Sequence, residues 1–126
     1  MENGPKPLIW IGRARREFEA FPAKAIEEAG FQLEWIQNGV DPADWKPMET
    51  IGRGACELRV RIWDGGTVQL RVIYVARFAE AVYILHAFEK KTKATSRHNL
   101  DVAKVRYAGM LRERGSMHNF RGGRSP

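Results

Sequence analysis

Residues 55–88 read ACELRVRIWDGGTVQLRVIYVARFAEAVYILHAF, and this pattern decides the fold. From Ala55 to Trp63, Leu58, Val60 and Ile62 fall on one face of an extended chain while Arg59 and Arg61 fall on the other. Asp64-Gly65-Gly66 supplies residues that accept positive φ, which predicts a hairpin turn. Thr67–Phe78 is a second β-branched run, and Ala81–Phe88 a third after a short turn near Ala79-Glu80. Three consecutive, closely linked strands predict an antiparallel sheet.

Working outward, residues 7–12 (Pro-Leu-Ile-Trp-Ile-Gly) predict a short strand that stops at Gly12, and Arg13–Phe21 a brief helical stretch. Pro22 stands where a first helical turn tolerates a missing N–H. Ile26, Ala29, Leu33 and Ile36 then recur at helical spacing until Asn38-Gly39 ends the stripe. Residues 40–53, with two prolines and Gly52, read as a loop, and residues 89–98 as a basic, hydroxyl-bearing loop. Leu100, Ala103, Tyr107, Met110 and Leu111 form a last helical stripe, with Thr95 or Ser96 placed to cap it. The result is a single α+β domain over residues 6–112, an antiparallel sheet with N-terminal helices and a C-terminal helix packed on one of its faces. Residues 1–5 are expected to be a flexible N-terminus, and residues 113–126 a disordered basic tail.

At 126 residues the chain is of one-domain length, long enough for a real core, and it contains no internal repeat. Cys56 stands alone, so neither an intrachain disulfide nor a zinc site built on cysteines is possible. The start lacks the order of a signal peptide, and no apolar run approaches the roughly 20 residues of a membrane span, so a cytoplasmic protein without membrane contact is expected. Charge is divided unevenly. Residues 1–50 carry 6 Lys+Arg against 9 Asp+Glu (net −3), and residues 51–126 carry 15 against 6 (net +9). One face of the protein is therefore expected to meet a polyanion, nucleic acid first, although a basic balance can also serve solubility alone.

Gly-rich phosphate loops, paired carboxylates and His pairs at metal-ligand spacing are missing, so no metal or cofactor is expected. What remains is cationic. Arg71, Ile73, Val75 and Arg77 share one face of the second strand, and Val82, Ile84, His86, Phe88 and Lys90 share a parity on the third. Pairing in chain order brings Arg59, Arg61, Arg71, His86 and Lys90 toward one concave surface. Such a set suits metal-free RNA cleavage, in which a 2′-hydroxyl attacks the adjacent phosphate. A base must take its proton, cations must hold the phosphoryl charge, and the 5′-oxygen must be helped to leave. Arginine meets the second need through its planar, permanently charged fork. Histidine and lysine, ordinarily titrating near ~6.5 and ~10.4, are the proton handlers. Each residue also has a plainer reading: His86 as a packed core group, Arg61 and Arg77 as solvent-facing charges, Phe88 and Tyr74 as core.

Residues 81–92, Ala-Val-Tyr-Ile-Leu-His-Ala-Phe-Glu-Lys-Lys-Thr, resemble the VYLLHAFxKKT signature of phage-derived HigB-like toxins in the RelE/ParE superfamily. Glu57-Leu58-Arg59 resembles that family's strand motif and Arg71-Val72-Ile73-Tyr74 its YRVxY strand, with Leu70 where an aromatic often stands; the resemblance covers roughly residues 6–112. It implies the same helix-covered sheet and a toxin of a type II toxin–antitoxin pair that cuts messenger RNA in the ribosomal A site. The implied partners are a HigA-like helix-turn-helix antitoxin from the neighbouring gene, the ribosome and mRNA. By motif position Arg71 takes the phosphate-stabilising role and Lys90 the basic position ending the last strand, with His86 as a third catalytic candidate. Arg59 and Arg61, together with Lys91, Lys93 and Arg97 of the basic loop, are the RNA-binding candidates. Tyr107 sits at core spacing and is not carried over as the C-terminal tyrosine of the family. Two other classes stay open: a ParE-like toxin that inhibits DNA gyrase and cuts nothing, and a non-toxic basic phage accessory module that binds nucleic acid.

Overall fold

A computed structural model of the protein describes residues 4–123, with side chains as far as Ser116; the ends of the expected flexible segments, residues 1–3 and 124–126, lie outside it. Along the described residues run β1 (Leu8–Trp10), α1 (Ala14–Glu19), α2 (Ala23–Gln37), β2 (Trp45–Pro47), β3 (Ala55–Trp63), β4 (Thr67–Val75), β5 (Val82–Glu89) and α3 (Arg97–Gly123). The strands form one sheet in the order β1-β5-β4-β3-β2.

The α+β class holds, and the three long strands pair antiparallel in chain order, Trp63 opposite Thr67 across the hairpin and Val75 opposite Tyr83 at the next turn. Gly65 in the first turn adopts φ 71°, a left-handed conformation in which a Cβ would be strained. Both edges depart from the expectation. β1 runs parallel to β5, with Leu8 beside Val82 and Trp10 beside Ile84, so the sheet is mixed. β2, inside the expected loop, pairs antiparallel with β3. It is three exposed residues ending in Pro47, too short and too polar to show an alternation, and proline is tolerated at a sheet edge where no ladder N–H is needed. The buried Gln32 of α2 holds the approach to it, its Oε1 accepting from the Ala43 amide at 2.7 Å.

The helices cover both faces of the sheet, not one. Leu58, Val60, Leu70, Val72, Tyr74, Val82 and Ile84 pack under α1 and α2, against Phe18, Ala25, Ala29, Leu33 and Ile36. Ile73, Val75, Tyr83, Leu85 and Phe88 pack on the opposite side with Ala103, Tyr107 and Met110 of α3. The reason is visible in β4 and β5, whose apolar residues occupy both parities, the composition of strands covered twice. At the β4–β5 pairing a bulge skips Leu85: Tyr74 lies opposite Ile84 but Ile73 lies opposite His86. One extra residue flips the parity of everything beyond it. Val82 and Ile84 therefore face α1 and α2 whereas Phe88 faces α3, and the expected common face of Val82 through Lys90 is split.

Ser96 caps α3, its Oγ accepting from the Asn99 amide at 3.1 Å. The helix runs on to Gly123, where a structureless tail from residue 113 was expected. Beyond residue 112 it is still tied to the turn between β4 and β5. Arg114 donates to Glu80 at 2.6 Å and lies 3.5 Å over the Phe78 ring. Tyr107 is core, as its spacing predicts, and its hydroxyl donates to the Arg53 carbonyl at 2.8 Å. That bond lays the ring against Gly52, where a Cβ would come within 2.4 Å of the ring carbons.

Gly52→Ala is thus expected to destabilise the fold by roughly 1–3 kcal/mol through overpacking. In a Tyr107→Ala background the same change should cost about 0.5 kcal/mol or less, because the obstructing ring is gone. Denaturant unfolding of the two single variants and the double variant tests this; simple additivity would show that the ring is not what excludes a side chain at Gly52.

Candidate active site

On the face of the sheet shared with α3, β3 and β4 place Arg59 opposite Arg71 and Arg61 opposite Gln69. Phe88 of β5 stands on the other side of Arg71. Lys90 continues this register just past the end of β5, its amide donating to the Gln69 carbonyl at 2.8 Å. Asp44, Arg59, Val60, Arg61, Gln69 and Arg71 line an open cavity of about 300 Å³. Alternation thus brings three of the expected cations into one cleft and sets a fourth, Lys90, in the row beside it.

Like charges directly across an antiparallel pair repel. Here Glu57 offsets the repulsion. It lies next along β3 on the same face and is 1% exposed. Its carboxylate accepts from Arg59 Nε at 3.3 Å, stands 3.8 Å from Arg71 Nε, and accepts from the Thr95 hydroxyl at 3.0 Å. The last bond fastens the loop that carries Lys90, Lys91 and Lys93 to the floor of the cleft. Arg71 is only 7% exposed, not on the solvent side of the sheet as its basic character suggests. Its guanidinium donates to the Leu70 carbonyl at 3.3 Å and to Gln69 Oε1 at 3.0 Å, yet the buried Nε has no hydrogen-bond partner. Burial draws the Arg71 pKa downward from its ordinary value, with Glu57 acting in the opposite sense. Arginine stays charged through such shifts, so the cleft is lined by a largely desolvated cation.

His86 does not line the cleft. It is 5% exposed, and a buried network holds it between α1 and α3. Its Nδ1 lies 2.8 Å from Glu17 Oε1, its Nε2 lies 2.7 Å from Asn99 Oδ1, and its ring stacks on Phe88 at 5.1 Å. Glu17 also accepts two parallel 2.8 Å bonds from Arg106 and one from the Ala87 amide at 3.2 Å. The network closes the edge of β5 that short β1 leaves open and behaves as a brace behind Phe88. Lys91 and Lys93 are exposed on the loop, and Arg97 is exposed with Asp101 as its partner at 3.4 Å. Arg77 lies past the end of β4, donating to the Arg53 carbonyl at 3.1 Å, away from the cleft.

Sequence reasoning missed Glu57 as a site residue, although a lone carboxylate sharing the parity of Arg59 and Arg61 was a signal for it. Glu17, Asn99 and Arg106 left no signal of that kind, because 69 to 89 positions separate Glu17 from its partners. Among the described residues no three His, Cys, Asp or Glu side chains are grouped to hold a metal ion, and no helix is long and apolar enough to cross a membrane.

Residues 16–108 match the family described as phage-derived protein, Gp49-like. The chain belongs to that family. The Gp49-like proteins are toxin-like, of the RelE/ParE type. The match runs from α1 into α3 and so includes the whole cleft and the brace behind it. No curated protein matches the chain.

The brace of this Gp49-like protein has a pH signature. Burial alone would raise the Glu17 carboxyl, but the bonds from Arg106, His86 and the Ala87 amide overcome it and hold its pKa at about 2. A carboxyl lowered on folding contributes stability above its unfolded pKa, and this is lost as pH falls through the folded value. Glu17→Gln is therefore expected to cost roughly 3 kcal/mol at pH 7, with the deficit shrinking between about pH 4.5 and pH 2. Urea unfolding across that range measures it. A deficit that stays constant down to pH 2 would rule out the charged brace.

Proposed function

We propose that this Gp49-like protein is the toxin of a type II toxin–antitoxin pair and cuts ribosome-bound messenger RNA without a metal. Family membership is consistent with a toxin and an antitoxin partner. The observation that carries the finer reading is Arg71: a nearly buried guanidinium that lines one cleft with Arg59 and Arg61. A phosphate is the ligand such a group fits best. It brings the charge that two adjacent arginines lack, and the planar fork engages two of its oxygens at once.

In the proposed reaction the scissile phosphate rests against Arg71 and Arg59. Lys90 takes the proton of the 2′-hydroxyl, whose oxygen then attacks phosphorus. The bond to the 5′-oxygen breaks, that oxygen takes up through solvent the proton that Lys90 accepted, and a 2′,3′-cyclic phosphate remains. Arg71 and Arg59 hold the charge that builds on the non-bridging oxygens, and being fixed by Glu57 and Gln69 they need no reorganisation to do so. Arg61, Lys91, Lys93 and Arg97 contact flanking phosphates. His86 acts through Phe88 as a positioning residue. The partner that neutralises the protein is a HigA-like helix-turn-helix antitoxin, and both meet in the cytoplasm, where the ribosome is.

The buried ion pair dictates the choice of variant. Arg71→Ala would remove one of the two cations beside the buried Glu57 carboxylate and blur activity with stability. Arg71→Lys keeps the charge and removes the fork. Arg71→Lys and Lys90→Ala are each expected to lower cleavage of ribosome-bound message about 10²–10³-fold and to abolish growth arrest while remaining folded. Pulse labelling after induction of the wild type should show protein synthesis failing first. A fall in DNA synthesis with translation intact would favour gyrase inhibition, and folded variants that cleave at the wild-type rate would remove the cleft from the reaction.

A further inference from the structure

Trp63 is 69% exposed at the end of β3, the most exposed aromatic side chain among the described residues. An indole left in water on a rigid strand makes no contribution to the core, and no aromatic neighbour packs against it. Its placement follows from the ladder. The β3–β4 register is unbroken from Ala55 to Trp63, so Arg59, Arg61 and Trp63 project from the same face. Trp63 stands one side-chain step beyond Arg61, about 6.8 Å along the strand, and two steps beyond Arg59. Thr67 opposite it is exposed, and the strand is uncovered here because β2 pairs only as far as Leu58. The cleft floor thus continues outward as cation, cation, aromatic, with steps comparable to the phosphate-to-phosphate step of an extended RNA strand.

Resting on the reading of the cleft as a phosphate seat, we infer that Trp63 is a stacking platform for a nucleotide base flanking the phosphate held by Arg71. Every base offers a π-face, and an indole presents the largest complementary face of any side chain. The strand fixes the ring at the mouth of a cationic cleft, where a bound single strand must pass. A base leaving the message there exchanges stacking on its neighbour for stacking on Trp63, and the strand is held splayed at the phosphate under attack. A protein partner would be a different occupant of the same ring. RNA is favoured because the aromatic is continuous with Arg59 and Arg61 and not with the apolar residues of α2.

The test measures affinity of the full-length protein for a short single-stranded RNA by fluorescence anisotropy at low salt, with the same RNA carrying abasic positions as a second probe. Trp63→Ala is expected to weaken binding of the base-bearing RNA about 10–100-fold. Trp63→Phe should restore most of it, Trp63→Leu should not, and the abasic RNA should bind wild type and Trp63→Ala alike. Because Trp63 is exposed, all three variants should unfold at the wild-type midpoint. Unchanged affinity in Trp63→Ala, or equal recovery by leucine and phenylalanine, overturns the stacking role. If Trp63→Ala spares RNA binding and instead loses a co-purifying protein, the ring belongs to a protein interface. Arg61→Ala separates the two readings: weakened binding there with none in Trp63→Ala leaves the phosphate seat standing, whereas a wild type that binds no RNA removes both.

Discussion

Two arginines stand side by side on the inner strands of this sheet because a buried carboxylate stands beside them. Arg59 and Arg71 are directly opposed across β3 and β4, where like charges repel. Glu57 lies within 3.3 Å of one and 3.8 Å of the other. Desolvating such a group is costly, and apolar side chains in its place would stabilise the fold at least as well. The arrangement is therefore better understood as positioning than as stability. It fixes two guanidinium groups at the floor of a cleft and, through Thr95, brings the lysine-rich loop to the same place. Arg71 Nε makes no hydrogen bond and faces the Glu57 carboxylate at ion-pair distance, 3.8 Å away.

The cleft can exist only if the sheet behind it is rigid, and the sheet has a weak point where three-residue β1 leaves the far half of β5 unpaired. Glu17, His86, Asn99 and Arg106 meet at that edge and join α1, β5 and α3. The bulge that skips Leu85 turns His86 and Phe88 together onto the face of Arg71, with His86 nearer that edge and Phe88 beside Arg71. A residue whose type suggests proton transfer is thus bonded at both ring nitrogens, and its ring stacks on Phe88, the residue opposite Arg71. The histidine of the family-like motif matters for the site through packing.

Local pattern was enough for much of the fold. Alternation in residues 55–63, the Asp64-Gly65-Gly66 turn, the stripe from Ile26 to Ile36 and the Ser96 cap each depend on neighbours a few positions apart, and each appears in the structure as read. The shared face of Arg59 and Arg61 was legible for the same reason, as was the core position of Tyr107. The two-sided cover of the sheet was also latent, since β4 and β5 are apolar at both parities. β2 was not legible: three exposed residues with a proline carry no periodic signal.

The sequence by itself therefore determined the α+β class, the central hairpin, the placement of cations along β3 and β4, and the basic character of the second part. Family resemblance added the expectation of a toxin. Only the tertiary structure decided which cations meet. Register across strands set Arg59 against Arg71 and Gln69 beside Lys90, bonds to Glu17 and Asn99 held His86 apart from them, and Glu57 became a buried anchor where the sequence showed one carboxylate among bases. These outcomes rest on contacts between residues up to 89 positions apart, and on a single-residue shift that reverses which way a strand faces. Periodicity within one element carries no information about either, because both are fixed by how separate elements come together.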